Sequence, residues 1–289
     1  MFSWVYDNMG NYTESLKYSY ATLKIEEEHG SEYTVALALS NIAGGNGVMG
    51  NYSEALKFYN KSIKGLLNGR DTINAFYVYA NIGEIYKKIG NFELAISSYT
   101  NALKLGYNIK DPTCLATAFH GIGDVYLLEN NFEGALENYK NAVREYKLFG
   151  NKQTLASLYS QMGICYSKLR KYEDAKRCFD DAYALSTELN STVSYMTYYD
   201  GKQYLDSLTG NWKDAYLNFK RFVVLRDSTF NKENLKKMLS TQMQFESEKK
   251  EAAAKAGKEG YPPAYHTKFN FCNTCRNFDF SDCCLSSAK

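Results

Sequence analysis

Small and aromatic residues recur along this chain on a period of forty. The phrase GNYTESL at residues 10–16 returns as GNYSEAL at 50, GNFELAI at 90, NNFEGAL at 130, RKYEDAK at 170 and GNWKDAY at 210. An aromatic stands at Tyr12, Tyr52, Phe92, Phe132, Tyr172 and Trp212, with a small residue three positions on at Ser15, Ala55, Ala95, Ala135, Ala175 and Ala215. Four further on come Ser19, Tyr59, Tyr99, Tyr139, Phe179 and Phe219. Offsets of three and seven place these columns on one face of a helix, here named helix B.

A second helix, A, precedes each of these. NIGEIYKKIG at 81 matches GIGDVYLLEN at 121 and QMGICYSKLR at 161, sharing Gly83, Gly123 and Gly163 and, three residues later, Tyr86, Tyr126 and Tyr166. Its start is marked by the column Ser31, Asp71, Asp111, Asn151, Ser191, all good N-cap residues, with Pro112 at a first helical position. Its end is marked by Gly50, Gly90 and Gly210, where a left-handed residue is wanted. The Asn after each of these glycines suits the next N-cap, with Glu14, Glu54 and Asp214 three residues later in the pattern of a capping box. Each unit therefore reads as helix A, tight turn, helix B, short loop. Neither helix can bury its apolar face alone, so stacking of neighbouring pairs closes the core. The predicted fold is all-α, a right-handed superhelical solenoid of stacked antiparallel helix pairs followed by a long C-terminal helix.

One unit breaks the pattern. NIAGGNGVMG at 41–50 puts Gly44, Gly45 and Gly47 in the second half of a helix A, each costing roughly 1 kcal/mol against alanine. A phosphate-cradling loop would need a preceding strand and a following Gly-Lys-Ser/Thr, and neither is present. The expectation is a distorted or frayed helix.

Composition supports a helical body and narrows the function. Only three prolines occur in 289 residues, and Pro262 and Pro263 lie in the tail. The net charge of +2 gives no electrostatic footprint for nucleic acid or an anionic membrane. Cys114, Cys165 and Cys178 are scattered and read as buried, reduced thiols. No signal peptide and no run of eighteen apolar residues is present, so the chain as given reads as soluble. His29, His120 and His266 lie in unrelated contexts, and no nucleophile elbow, H-E-x-x-H or Gly-rich phosphate motif occurs. No catalytic residue, metal or cofactor is therefore expected.

The repeat resembles the tetratricopeptide family in Gly83 of helix A, Tyr86 three later, and Ala95, Tyr99 and Ala102 of helix B. It departs from the family in its length of forty rather than the commoner 34 and in lacking the helix-ending proline. The resemblance covers residues 1–229, a partial first unit and five units of forty. It implies that the helix A faces line a concave groove for an extended peptide or another domain. The groove positions carried across include Tyr77, Ala80, Glu84 and Lys87, then Thr117, His120, Asp124 and Leu127, then Ser157, Ser160, Ile164 and Ser167, then Thr197, Asp200, Tyr204 and Ser207. Members that clamp a terminal carboxylate use Lys and Asn at these places. The column Ser40, Ala80, His120, Ser160 carries no lysine, and Glu84, Asp124 and Asp200 favour a basic or polar ligand instead.

The chain ends hold further expectations. Tyr6 occupies the column of Tyr86, so Met1 falls inside a helix A and upstream repeats are expected to be missing. Residues 230–256 hold no turn residue after Lys232, and Leu235, Met238 or Leu239, Met243 and Phe245 form a short apolar stripe that fades into ESEKKEAAAKA. This stretch reads either as a solvated capping helix or as a signalling or coiled-coil helix through which two copies pair. It resembles the linker after repeat arrays in Bacteroidetes-type membrane sensor histidine kinases and nucleotide cyclases. That resemblance implies an input region on the cytoplasmic or periplasmic face of a membrane. A stand-alone scaffold is the alternative.

The tail, 257–289, contains FNFCNTCRNFDFSDCC, with Cys272, Cys275, Cys283 and Cys284. Cys-x-x-Cys is half of a zinc site, but the adjacent pair makes a poor second half. Phe, Asn, Cys and Asp share codons ending in T or C, and a middle T encodes only apolar residues. Read one base later, 269–289 can therefore become an apolar run of membrane-spanning length bounded by arginines, after a polar, basic flank from 258–268. The expectation is a frameshifted transmembrane segment, which sequencing of the source DNA tests.

Overall fold

A computed structural model of the chain describes residues 12–230. Ten helices follow one another: α1 (Tyr12–His29), α2 (Glu32–Val48), α3 (Tyr52–Asn68), α4 (Thr72–Lys88), α5 (Phe92–Ile109), α6 (Pro112–Leu128), α7 (Phe132–Phe149), α8 (Lys152–Lys168), α9 (Tyr172–Leu189) and α10 (Thr192–Leu208). An eleventh, α11, is helical over 212–230. The even helices are the predicted A helices and the odd ones the B helices. Each starts forty residues after its predecessor of the same kind, as the sequence columns require.

The packing follows the same period. The A helices α2, α4, α6 and α8 each pack most extensively on the B helix that follows, and each B helix from α1 to α9 also packs on the next A helix. The alanine column Ala55, Ala95, Ala135, Ala175 is fully buried, and the aromatic column Tyr59, Tyr99, Tyr139, Phe179 is buried with it. The A-helix glycines exist because of these rings. A Cβ on Gly123 would stand 2.6 Å from the Tyr139 ring and one on Gly163 2.7 Å from Phe179. The next A helix repeats the arrangement, since a Cβ on Gly121 would meet Tyr99 at 2.4 Å and one on Gly201 would meet Phe179 at 2.6 Å. The Tyr99 and Phe179 rings are thus held between two helix backbones, and only glycine lets the helices close on them.

Caps fix the boundaries. Ser31, Asp71, Asp111, Asn151 and Ser191 each accept a backbone N–H from the first turn of their A helix. Asp71 also accepts from the Tyr33 hydroxyl at 2.9 Å. Burial alone would push its carboxyl up, but these hydrogen bonds hold it below its ordinary value. Asn91 and Asn131 cap their B helices in the same way. The capping box expected at Asn51 and Glu54 does not form. Asn51 donates to Asn46 Oδ1 at 3.3 Å, and Glu54 pairs with Lys57. Of α2, the structure reports a correction: the helix runs unbroken through Gly44, Gly45 and Gly47 to Val48. Its packing between α1 and α3 outweighs the weak propensity of three glycines.

The turns reverse through a left-handed residue. Gly50, Gly90 and Gly210 have φ of 79–82°, and after each the next amide reaches back five residues, as Asn91 N does to the Tyr86 carbonyl at 2.9 Å. Asn130 and Arg170 take the same conformation without being glycine. Arg170→Gly is therefore expected to raise stability by about 0.5–1 kcal/mol, and Gly90→Ala to lower it by about 1 kcal/mol, both read from urea denaturation. A clash would not contribute to the latter, because nothing lies within 4 Å of a Cβ at Gly90.

Cys114, Cys165 and Cys178 are buried and unbridged, as expected. Burial pushes the Cys114, Cys165 and Cys178 thiols up to about 11, 12 and 11, which removes nucleophilic character at neutral pH. Among the described residues no helix is long and apolar enough to cross a membrane, and no cluster of metal-ligating side chains occurs. The expectations for Met1, for 231–256 and for the tail lie outside the described residues.

Candidate functional site

Successive A helices place their groove columns side by side, and in α4, α6 and α8 those columns are joined by a polar ladder. Lys87 of α4 lies 2.7 Å from Glu84 and 2.9 Å from Asp124 Oδ2 of α6. The other Asp124 oxygen accepts from the Tyr139 hydroxyl at 2.9 Å and from Gln161 Nε2 of α8 at 3.0 Å. Gln161 Oε1 in turn faces His120 Nε2 at 3.1 Å, which requires the proton on that nitrogen. Tyr99 donates to Glu84 at 3.0 Å, so the core column of helix B reaches through to the groove in two successive repeats.

Electrostatics follow from this geometry. Burial alone would push the Lys87 ammonium down, but Asp124 and Glu84 outweigh it and hold it above its ordinary value. Burial pushes the Tyr99 and Tyr139 phenols well above theirs, helped by Glu84 and Asp124 at Tyr99 and by Asp124 at Tyr139. Asp124 is therefore not free for a ligand's cation. Its charge is balanced within the protein, a fact invisible in the groove columns because two of its partners, Tyr139 and Gln161, lie outside them.

The other expected groove residues divide. Tyr77 is half exposed and packs edge-on against Phe76. Thr117 donates to the Thr113 carbonyl and lies 3.4 Å from the Tyr146 hydroxyl. Ser160 is buried, its hydroxyl satisfied by the Ala156 carbonyl, so it offers a ligand nothing. Ile164 packs into the core around Phe179 and Leu205. Asp200 is exposed, with Gln203 near it at 3.4 Å. Tyr204 lies under Lys168, whose ammonium stands 4.4 Å from the ring centre.

Between α2 and α4 lies a cavity of ≈640 Å³ lined by Ser40, Asn41, Gly44, Gly45, Tyr77 and Asn81, among others. Where later repeats carry Glu84, Asp124, Ile164 and Tyr204, this repeat has Gly44, so no side chain fills the space at that position. Asn81 donates to the Tyr59 hydroxyl at 3.0 Å in the cavity wall, and Glu84 and Lys88 complete the lining. The glycine run was visible in the sequence; that it opens a cavity required the position of α4.

Residues 71–147 and 114–188 match the tetratricopeptide repeat family. Residues 71–188 therefore carry tetratricopeptide repeats, a class of helical protein-interaction modules. Among solved structures it is similar to BtubC (BKLC) from P. vanneervenii, with 16% identity and TM-score 0.62 over 76% of this chain and 90% of that one. It is also similar to a Signal Transduction ATPase with Numerous Domains protein bearing a tetratricopeptide repeat sensor, from Pyrococcus horikoshii, with 20% identity and TM-score 0.69 over 82% of this chain and 38% of that one. A third is a Rap protein complexed with Competence and Sporulation Factor, with 10% identity and TM-score 0.58 over 78% of this chain and 73% of that one. No curated protein sequence matches the chain.

Proposed function

We propose that the A-helix face is a docking groove for an extended peptide or a partner domain, with the α2–α4 cavity as its anchor point. One observation carries this reading: Gly44 lies mid-helix, at a cost of about 1 kcal/mol, with no packing reason for it. A Cβ there would meet only the Tyr59 hydroxyl, at an ordinary 3.6 Å. What glycine gains at that position is open space, edged by the amides of Asn41, Asn74 and Asn81 and by the half-exposed Tyr77 ring. Amides that both donate and accept suit a peptide backbone, and an apolar wall suits one anchoring side chain. Beyond it the half-exposed Glu84 and the exposed Lys88 and Asp200 lie at the surface, which suits a polar ligand.

Filling the cavity tests this. Gly44→Leu is expected to raise stability by about 1 kcal/mol through helix propensity while weakening peptide binding at least tenfold, scored on an array of extended peptides with the full chain. Binding unchanged by this substitution would remove the cavity from the groove.

We further read the chain as the input region of a membrane signalling protein, relaying groove occupancy through the residues after α11. The TPR sensor of the Pyrococcus horikoshii protein and the factor-bound Rap protein support such a use of this fold. The stand-alone scaffold remains the competing reading. Sequencing the source DNA beyond Ala256 separates them: a kinase or cyclase motif in the restored frame supports the input region, and an in-frame stop codon supports the scaffold.

A further inference from the structure

The last helix departs from the repeat in two ways. In the preceding B helices Tyr99, Tyr139 and Phe179 are at most 3% exposed, because the next A helix covers them. Their counterpart Phe219 is 46% exposed, and Trp212, Tyr216 and Phe230 are 70%, 65% and 61% exposed. Steps of four, three and eleven residues put all four aromatics on one side of α11, with the half-buried Val223 between them.

A further A helix from the same chain would cover this side, but α11 does not make the turn that starts one. Arg70, Lys110, Gly150 and Asn190 reverse the chain at φ of 46–78°. Phe230 holds that column and is helical, and a bulky aromatic is poorly suited to the left-handed conformation.

We infer that this face of α11 is a homotypic interface, covered by α11 of a second copy. The face is self-complementary under a two-fold axis. Antiparallel helices crossing midway between Phe219 and Val223 set Trp212 of one copy against Phe230 of the other. Tyr216 then meets Arg226 in cation–π contact, and Phe219 meets Val223. Aromatic side chains withdraw about 150–250 Å² each when covered, so four at these exposures bury on the order of 500 Å² per copy, or about 1,000 Å² in the pair. That reaches the size at which a specific interface begins to hold. The inference places pairing on α11 itself and does not depend on the groove.

Sedimentation velocity on the full chain, carrying Trp4→Phe so that Trp212 is the sole tryptophan, tests it. The expected result is a dimer that dissociates on dilution, with acrylamide quenching of Trp212 rising severalfold as it does. Phe219→Glu and Tyr216→Glu each give a monomer of unchanged far-UV circular dichroism. Val224→Glu, on the other side of α11, leaves the dimer intact. Three outcomes would overturn the inference. One is a monomer at every concentration with Trp212 shielded, which means that cover comes from the same chain. Another is a monomer with Trp212 open to quencher. The third is a dimer that survives both glutamate substitutions and is lost in Leu235→Glu, which moves the contact beyond α11.

Discussion

Tyr139→Ala is expected to destabilise the central repeats by about 3–5 kcal/mol, the largest single effect in the array. The ring is fully buried, sits within reach of the Gly123 backbone, and carries a hydroxyl bound to Asp124 at 2.9 Å. Truncation leaves a cavity between helices that cannot collapse without breaking the stack. Tyr139→Phe keeps the packing and removes only the hydrogen bond, so it should cost about 1 kcal/mol. The reciprocal test is Gly123→Ala, whose Cβ would stand 2.6 Å from the ring. Overpacking of that kind costs about 1–3 kcal/mol. Urea denaturation monitored by circular dichroism reads all three. A loss under 1 kcal/mol for Tyr139→Ala would mean that the aromatic column does not hold the repeats together. Each repeat meets only its neighbours, so native-state hydrogen exchange should show the loss concentrated in α5 to α8.

Asp124→Ala is expected to cost about 2–3 kcal/mol, because it strips the acceptor from the buried Tyr139 hydroxyl and one of the two carboxylates from Lys87. Asp124→Asn keeps an acceptor for Tyr139 but replaces the oxygen that accepts from Lys87 with an amide donor, and should cost about 1–2 kcal/mol. The ladder also fixes a pH response. Lys87 is held above its ordinary value by Asp124 and Glu84 against the opposing effect of burial, so its contribution is complete below the ordinary lysine range and fades as pH rises through the raised value. The raised Tyr99 and Tyr139 phenols act in the same direction, because the unfolded chain releases those protons first. Stability should therefore fall from about pH 10 upward, and fall less steeply in Lys87→Met. An identical alkaline slope in Lys87→Met would mean that the ion pair does not contribute.

The sequence by itself determined the helices, their order and most of their ends. The forty-residue columns mark the cap residues, the left-handed turns at Gly50, Gly90 and Gly210, and the alanine and aromatic stripes that form the core. These are local signals: a cap needs only the next turn of its own helix, and a stripe needs only the helical period. Tertiary structure decided what depends on two helices at once. Asp124 read as an exposed groove carboxylate until α4, α7 and α8 brought Lys87, Tyr139 and Gln161 to it. That Ser160 is buried with its hydroxyl bonded to the Ala156 carbonyl came from the packing, and Gly44 to Gly47 read as a damaged helix until α1, α3 and α4 supported it. The reason is physical. Helix propensity and capping act within about four residues, whereas charge pairing, burial and cavity shape are set between elements some forty residues apart.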